Sequence, residues 1–200
     1  MLLASLGNGG AQSTTEWWQD DEGLSGTGGA SVVLRQATAT WCDVCKVSDP
    51  IIIDFAESKG TNIVRIAIHP KDGIDPLGTS IGTRQAWALT DAAPSELEYP
   101  TSWFDDADGL SGQLGGEQLQ REMLRAQGAR QTESLSMSIS RISEPGFPES
   151  YYLDFEVSGF SSEGTLSLFI TEDGVDIGDL ANNMNGIRVH EDVLRAGFIV

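Results

Sequence analysis

Cys42 and Cys45 are the only two cysteines among 200 residues. The two residues between them allow both sulfurs to sit on the first turn of one helix, within reach of a reversible disulfide. An apolar run, Val32-Val33-Leu34, precedes the pair, and Val44, Val47, Ile51 and Phe55 follow at helical spacing. The pattern predicts strand, tight turn and helix. A thiol at a helix N-terminus faces unpaired backbone N–H groups and the positive end of the macrodipole, and both favour thiolate over thiol. An unperturbed cysteine, with a pKa of ~8.5, is mostly thiol at neutral pH, whereas this setting brings the pKa to ~7 or below. Cys42 is then the attacking sulfur and Cys45, one turn inside, the resolving one. Asp43 beside the nucleophile opposes thiolate formation, and Lys46 one turn along favours it.

Two other uses of the pair stay open at this level. As a structural staple it closes so short a loop that it removes only about 2 kcal/mol of unfolded-chain entropy. As a zinc or copper carrier it needs further ligands, and the remaining soft donors are His69 and His190, far apart in the chain. His69 ends an apolar strand, at the end of the sheet where the cysteines emerge. There its imidazole could assist proton transfer.

Trp41-Cys42-Asp43-Val44-Cys45-Lys46, with Pro50 five residues past the second cysteine, resembles the active-site helix of the thioredoxin superfamily. Tyr99-Pro100-Thr101 resembles that family's cis-proline loop, which lies against the disulfide and receives the substrate chain. The resemblance covers residues 30 to 130. It implies a thioredoxin-like α/β fold, a thiol–disulfide oxidoreductase acting on protein disulfides or dithiols, and substrate contacts from Trp41, Tyr99, Pro100 and Thr101. No cofactor or metal is implied beyond the dithiol. The chain departs from the family at Val44, where thioredoxins proper have proline, and at Gln36, where many have a buried acid that relays protons. The segment from His190 to Arg195 is similar to one in secreted and outer-membrane thioredoxin-fold proteins of bacteria and archaea, which implies an extracytoplasmic location and a β module used for attachment. The rival from another class is a secreted binding protein that keeps the CxxC pair only as a structural feature.

Thirty acids against twelve bases give a formal charge of −18. That field repels phosphates and no basic cluster relieves it, so the chain is no nucleic-acid binder. Acid-rich, lysine-poor surfaces suit high salt or secretion. No apolar run approaches the ~18 residues that a membrane span requires. Met1-Leu2-Leu3-Ala4-Ser5-Leu6 lacks a positive flank and reads as a flexible terminus or the tail of a signal peptide.

The remaining elements position this chemistry. Residues 1–30 read as a flexible lead-in in which Trp17-Trp18 pins the segment to the domain surface, and residues 31–37 as the first strand. A helix over 43–59 is bent at Pro50, and a strand over 62–68 is interrupted only by Arg65. A long connection, 71–99, carries a short helix at 83–89 and is the candidate for shaping a substrate. Residues 101–104 form a strand. The acidic stretch 105–109 misses the spacing of a calcium loop and reads as a hairpin turn, and 117–127 form a helix. Beyond 130 the period changes to two, with strands near 134–140, 151–157 and 166–170. Three units are expected: the lead-in 1–30, the thioredoxin-like domain 31–130, and a small β-sandwich-like module 131–200, truncated relative to a longer protein.

Overall fold

Two short strands that are apolar on both faces belong in the middle of a sheet covered by helices on both sides. The computed structural model places them so; it describes residues 2–7, 25–26, 31–91, 93–105, 107–129, 134–142, 150–158, 165–180 and 182–199. In chain order the strands are β1 (Leu2–Gly7), β2 (Ser25–Gly26), β3 (Val32–Ala37), β4 (Ile63–Ile68), β5 (Thr101–Phe104), β6 (Leu110–Ser111), β7 (Ser134–Ile142), β8 (Ser150–Ser158), β9 (Thr165–Glu172), β10 (Val175–Asp176), β11 (Val189–His190) and β12 (Val193–Ile199). The helices are α1 (Cys45–Lys59), α2 (Ser80–Thr90) and α3 (Gly116–Gly128).

Among the described residues, seven strands form a mixed α/β sheet in the order β1-β9-β12-β4-β3-β5-β6. β3 and β4 pair in parallel, joined by α1, and β5 runs antiparallel to β3 with Thr101 opposite Ala37. Alternation along the strands divides the interior. Val32, Leu34 and Ile63 pack with Ile52, Phe55, Leu119 and Met123 under α1 and α3. Val33, Val64, Ile66 and Ile68 pack with Ile81, Phe169 and Leu194 under α2. The helix expected at 83–89 begins three residues earlier, because the Thr79 hydroxyl caps it by accepting from the Gly82 amide at 3.0 Å.

The expected boundary near residue 130 does not separate two sheets. β9 and β12 both join the central one, with β12 parallel to β4 and antiparallel to β9. The free edge of β4 explains this: its backbone groups need a partner, and β12 supplies it. β7 and β8 pair over nine residues and form a separate three-stranded sheet with β2. The lead-in also holds structure, since β1 pairs antiparallel with β9 from Leu2↔Ile170 to Gly7↔Thr165. Trp17 and Trp18 lie outside the described residues.

The helix expected from residue 43 starts at Cys45, with residues 43 and 44 in the turn before it. Its inward face also differs from the expected stripe. Cys45, Ser48, Asp49, Ile52 and Phe55 are buried, whereas Val44 and Val47 are 47% and 50% exposed. Polar residues point in because the strands beneath are polar at that end. Asp49 accepts from Gln36 Nε2 at 2.7 Å and from Thr38 Oγ1 at 2.6 Å. Gln36 Oε1 in turn accepts from Arg65 Nε at 3.2 Å and from Nη2 at 3.0 Å. Arg65 Nη1 bonds the Glu191 carbonyl at 2.9 Å and Asp192 Oδ2 at 3.2 Å. The one charged residue in the apolar β4 run is thus buried, and it links α1, β3, β4 and the segment entering β12.

Removing one partner from a buried charge network costs ~3–5 kcal/mol, because the remaining charges lose their compensation. Arg65→Met is expected to lower the denaturant midpoint accordingly at pH 8. Burial already raises the pKa values of Asp49 and Asp192, the latter to about 6, and Arg65 is the principal influence lowering them. Without it both rise further. An acid with a raised folded-state pKa loses stability as pH increases, so the deficit of the variant should shrink at pH 5. A deficit independent of pH would rule out this account.

Candidate functional site

The cysteine turn leaves the carboxyl end of β3 and is held there by backbone bonds. Thr38 N donates to the Ile68 carbonyl at 3.0 Å and Cys42 N to the Ala39 carbonyl at 3.1 Å. Asn185, fully buried, donates its backbone N to the Thr40 carbonyl at 2.8 Å and its Nδ2 to the Ala39 carbonyl at 3.1 Å. Thr40 N donates to Asp75 Oδ2 at 3.0 Å. Two loops distant in sequence therefore fix the chain just ahead of the sulfurs.

Cys42 and Cys45 form a disulfide with a Cα–Cα distance of 5.2 Å. Cys45 is wholly buried at the first position of α1, while Cys42 lies in the wall of a groove. The Cys45 amide donates to Cys42 Sγ at 3.1 Å. That amide belongs to the helix opening, where backbone donors lack intrahelical acceptors, so a reduced Cys42 would meet a donor already aimed at its charge. Asp43 and Lys46 are both exposed on either side of the buried Cys45.

Trp41 and Tyr99 meet edge to face with centroids 5.1 Å apart, and both pack against the two cysteines and Ala39. The Trp41 indole N–H donates to Asp72 Oδ2. Burial and the nearby Asp72 and Asp75 push the Tyr99 hydroxyl up to about 12, so it stays protonated. The Tyr99-Pro100 peptide bond is cis, and Pro100 is buried next to Thr101, which the β3–β5 register sets opposite Ala37. The structure thus brings Trp41, Tyr99, Pro100 and Thr101 to the edge from which the cysteine turn departs.

His69 directly follows β4 and turns inward. It is buried, its Nδ1 lies 2.8 Å from Asp75 Oδ2, and its ring meets His190 edge on at 5.6 Å. It reaches the cysteine turn through Asp75 and the Thr40 amide. Burial, followed by the neighbouring His69, pulls His190 down to about 4.

The residue that sequence reasoning missed is Asp49. It lies four residues after Cys45 on the buried face of α1, so the two side chains fall on the same side of the helix. Desolvation raises its pKa, with Arg65 the main opposing influence. Gln36, at the strand position expected to lack an acid, holds this helix carboxylate by its amide. The available signal was the spacing from Cys45, masked because Val44 and Val47 give α1 an apolar stripe that faces outward. Chemically, the arrangement combines a sulfur in a groove wall, 5% exposed, a wholly buried sulfur, an amide directed at the first and a buried acid with a raised pKa one turn below the second.

No family model matches this chain. No curated protein matches it in sequence either. Among solved structures it is similar to the crystal structure of a structural-genomics target from Agrobacterium tumefaciens, at 10% identity and a TM-score of 0.40 over 84% of this chain and 93% of that one. A likeness at that level assigns neither fold nor function.

The raised pKa of Asp49 carries a consequence for stability. For such a group, stability is fully present below the unfolded-state value near 4 and is lost as pH rises through the folded-state value. Asp49→Asn keeps an acceptor for the Gln36 amide and presents an NH2 to the Thr38 hydroxyl, which can turn to accept it, but cannot ionise. Its denaturant midpoint relative to the parent should therefore improve from pH 4 to pH 8; an unchanged difference would show that Asp49 ionises in the fold as it does in the unfolded chain.

Proposed function

We propose that the chain is a thiol–disulfide oxidoreductase of thioredoxin-like fold that exchanges disulfides with protein substrates through Cys42 and Cys45. The observation that carries this reading is the division of the pair: one sulfur in a groove wall with a backbone amide at 3.1 Å, the other wholly buried at the helix opening. A staple needs no such division, and neither staple nor metal carrier uses a buried acid one turn beyond the second sulfur. The mixed sheet, the α1 crossover and the Tyr99-Pro100 loop beside the pair support the same reading.

In the reducing direction, the Cys42 thiolate attacks one sulfur of a substrate disulfide, the S–S bond breaks, and a substrate thiolate leaves and takes up a proton. Cys45 then loses its proton and attacks Cys42 Sγ, releasing the second substrate thiolate and forming the intramolecular disulfide. The oxidising direction is the reverse, with the substrate supplying two electrons and two protons. Asp49 holds or returns the Cys45 proton, and the Cys45 amide stabilises charge on Cys42 in both directions. The segment before Cys42, fixed by Asn185 and Asp75, keeps the sulfur in place while its partner changes. The composition suits an extracytoplasmic compartment, where a substrate disulfide persists.

Cys45→Ser leaves Cys42 free and should accumulate a mixed disulfide with a reducible protein such as insulin, read by mass spectrometry. Cys42→Ser should accumulate none. Asp49→Asn should slow the resolving step about tenfold or more at neutral pH and flatten its pH dependence, as expected when a positioned acid–base group is lost. If the parent neither reduces nor oxidises a dithiol substrate at any redox poise, the pair is structural and the chain a binding protein. Stoichiometric zinc or copper that is lost in Cys45→Ser would favour metal carriage.

A further inference from the structure

Several features gather where α1 emerges from the sheet. The groove that holds Cys42 has a volume of about 850 Å³, far more than a disulfide fills. Its walls carry three aromatic rings, Trp41, Tyr99 and Trp87, the last from α2 in the long 71–99 connection. Trp87 and Ile74 are 53% and 52% exposed, and Val44 is 47% exposed. An apolar cluster left wet on a chain with charge −18 and so many acids is unusual unless something covers it. Val44 is the sharpest sign, since the start of α1 turns it outward into the groove while Ser48 and Asp49 are buried.

Charge narrows the occupant. Asp43 and Asp72 stand in the wall against Lys71, and exposed Glu96 and Glu98 bracket the lining residue Leu97. Asp72 is fixed as an acceptor by the Trp41 indole and the Ile74 and Asp75 amides. Small anionic thiols meet repulsion here, whereas lysine or arginine near a substrate cysteine meets attraction. The chain has no third cysteine, so the sulfur that reacts at Cys42 comes from another molecule.

We propose that this groove takes an extended, cationic segment of a partner polypeptide, seating an aromatic or branched aliphatic side chain next to the partner's cysteine between Trp41, Tyr99 and Trp87. Trp87 is a specificity residue: it receives the flanking side chain and takes no part in bond exchange. The identity of the reacting group rests on the disulfide-exchange reading, while occupancy of the groove does not.

The test uses the full chain and three seven-residue peptides with serine at the centre in place of cysteine. One has phenylalanine on both sides of the serine and lysine at both ends; the second replaces the phenylalanines by serine; the third replaces the lysines by aspartate. Calorimetry should show the first binding about tenfold or more tighter than the second, the range expected for burying one large apolar side chain. It should also exceed the third, by a margin that shrinks at ~1 M salt, where the screening length falls to ~3 Å. Trp87→Ser should remove the preference for phenylalanine, while Leu124→Ser, an exposed leucine on α3 outside the groove, should keep it. Equal binding of the three peptides, or a preference indifferent to Trp87→Ser, overturns the inference. The same peptides with cysteine, offered as mixed disulfides with 2-mercaptoethanol to the reduced chain, separate the two readings. Binding in the expected order with no transfer to Cys42 leaves the docking inference standing and removes the exchange reading; transfer at equal rates does the reverse.

Discussion

A guanidinium sealed inside a sheet must be answered by acceptors, and Arg65 determines much of this structure by that requirement. Its five donors cannot be left dry. Gln36 from β3 takes two of them, and the Glu191 carbonyl and Asp192 take others. Gln36 is thereby polarised so that its amide faces α1, where Asp49 meets it. Each member is satisfied through the next, and the network spans four separate parts of the chain. A hydrophobic residue in place of Arg65 would pack as well, but it would deprive Asp49 of the cation that most offsets its burial.

That constraint gives α1 its unusual orientation. A helix beside a sheet ordinarily buries its apolar stripe. Here the first two turns invert the pattern, with Ser48 and Asp49 inside and Val44 and Val47 outside. Local rules are broken beside the cysteine pair, and further along the helix Ile52 and Phe55 return to the core. The same inversion prepares both sides of the cysteine pair: an acid beneath Cys45 and an apolar surface beside Cys42.

The sequence made legible those parts of the fold that depend on local chemistry. The apolar runs at 32–34 and 63–68, the helix stop at Gly60, the breakers between 71 and 99, and the alternation beyond 134 all mark elements that the structure contains. The approach of Trp41 and Tyr99 to the cysteines was also readable from motif order. What could not be read was pairing across distance. Alternation in β9 shows a half-buried strand but carries no mark of which edge it will meet, so the division at residue 130 looked natural. Asp49 escaped notice for a related reason: whether a carboxylate faces in or out depends on Gln36, Thr38 and Arg65, which are far from it in sequence. His69 followed the strand as expected, yet its partners come from the loop at Asp75 and from the two-residue strand β11, whose placement no period reveals.

The join between β4 and β12 gives this molecule a history as well as a shape. Arg65 and Asp192 stand 127 residues apart, and Asn185 binds the carbonyl of Ala39 across 146. During synthesis the cysteines therefore emerge long before the residues that will brace their turn, and long before β4 gains its second neighbour. Nascent chains carry these thiols on an unfinished scaffold until β12, made well after them, takes its place between β4 and β9. The order of translation thus delays bracing of the pair until residues far downstream of the sulfurs have been made.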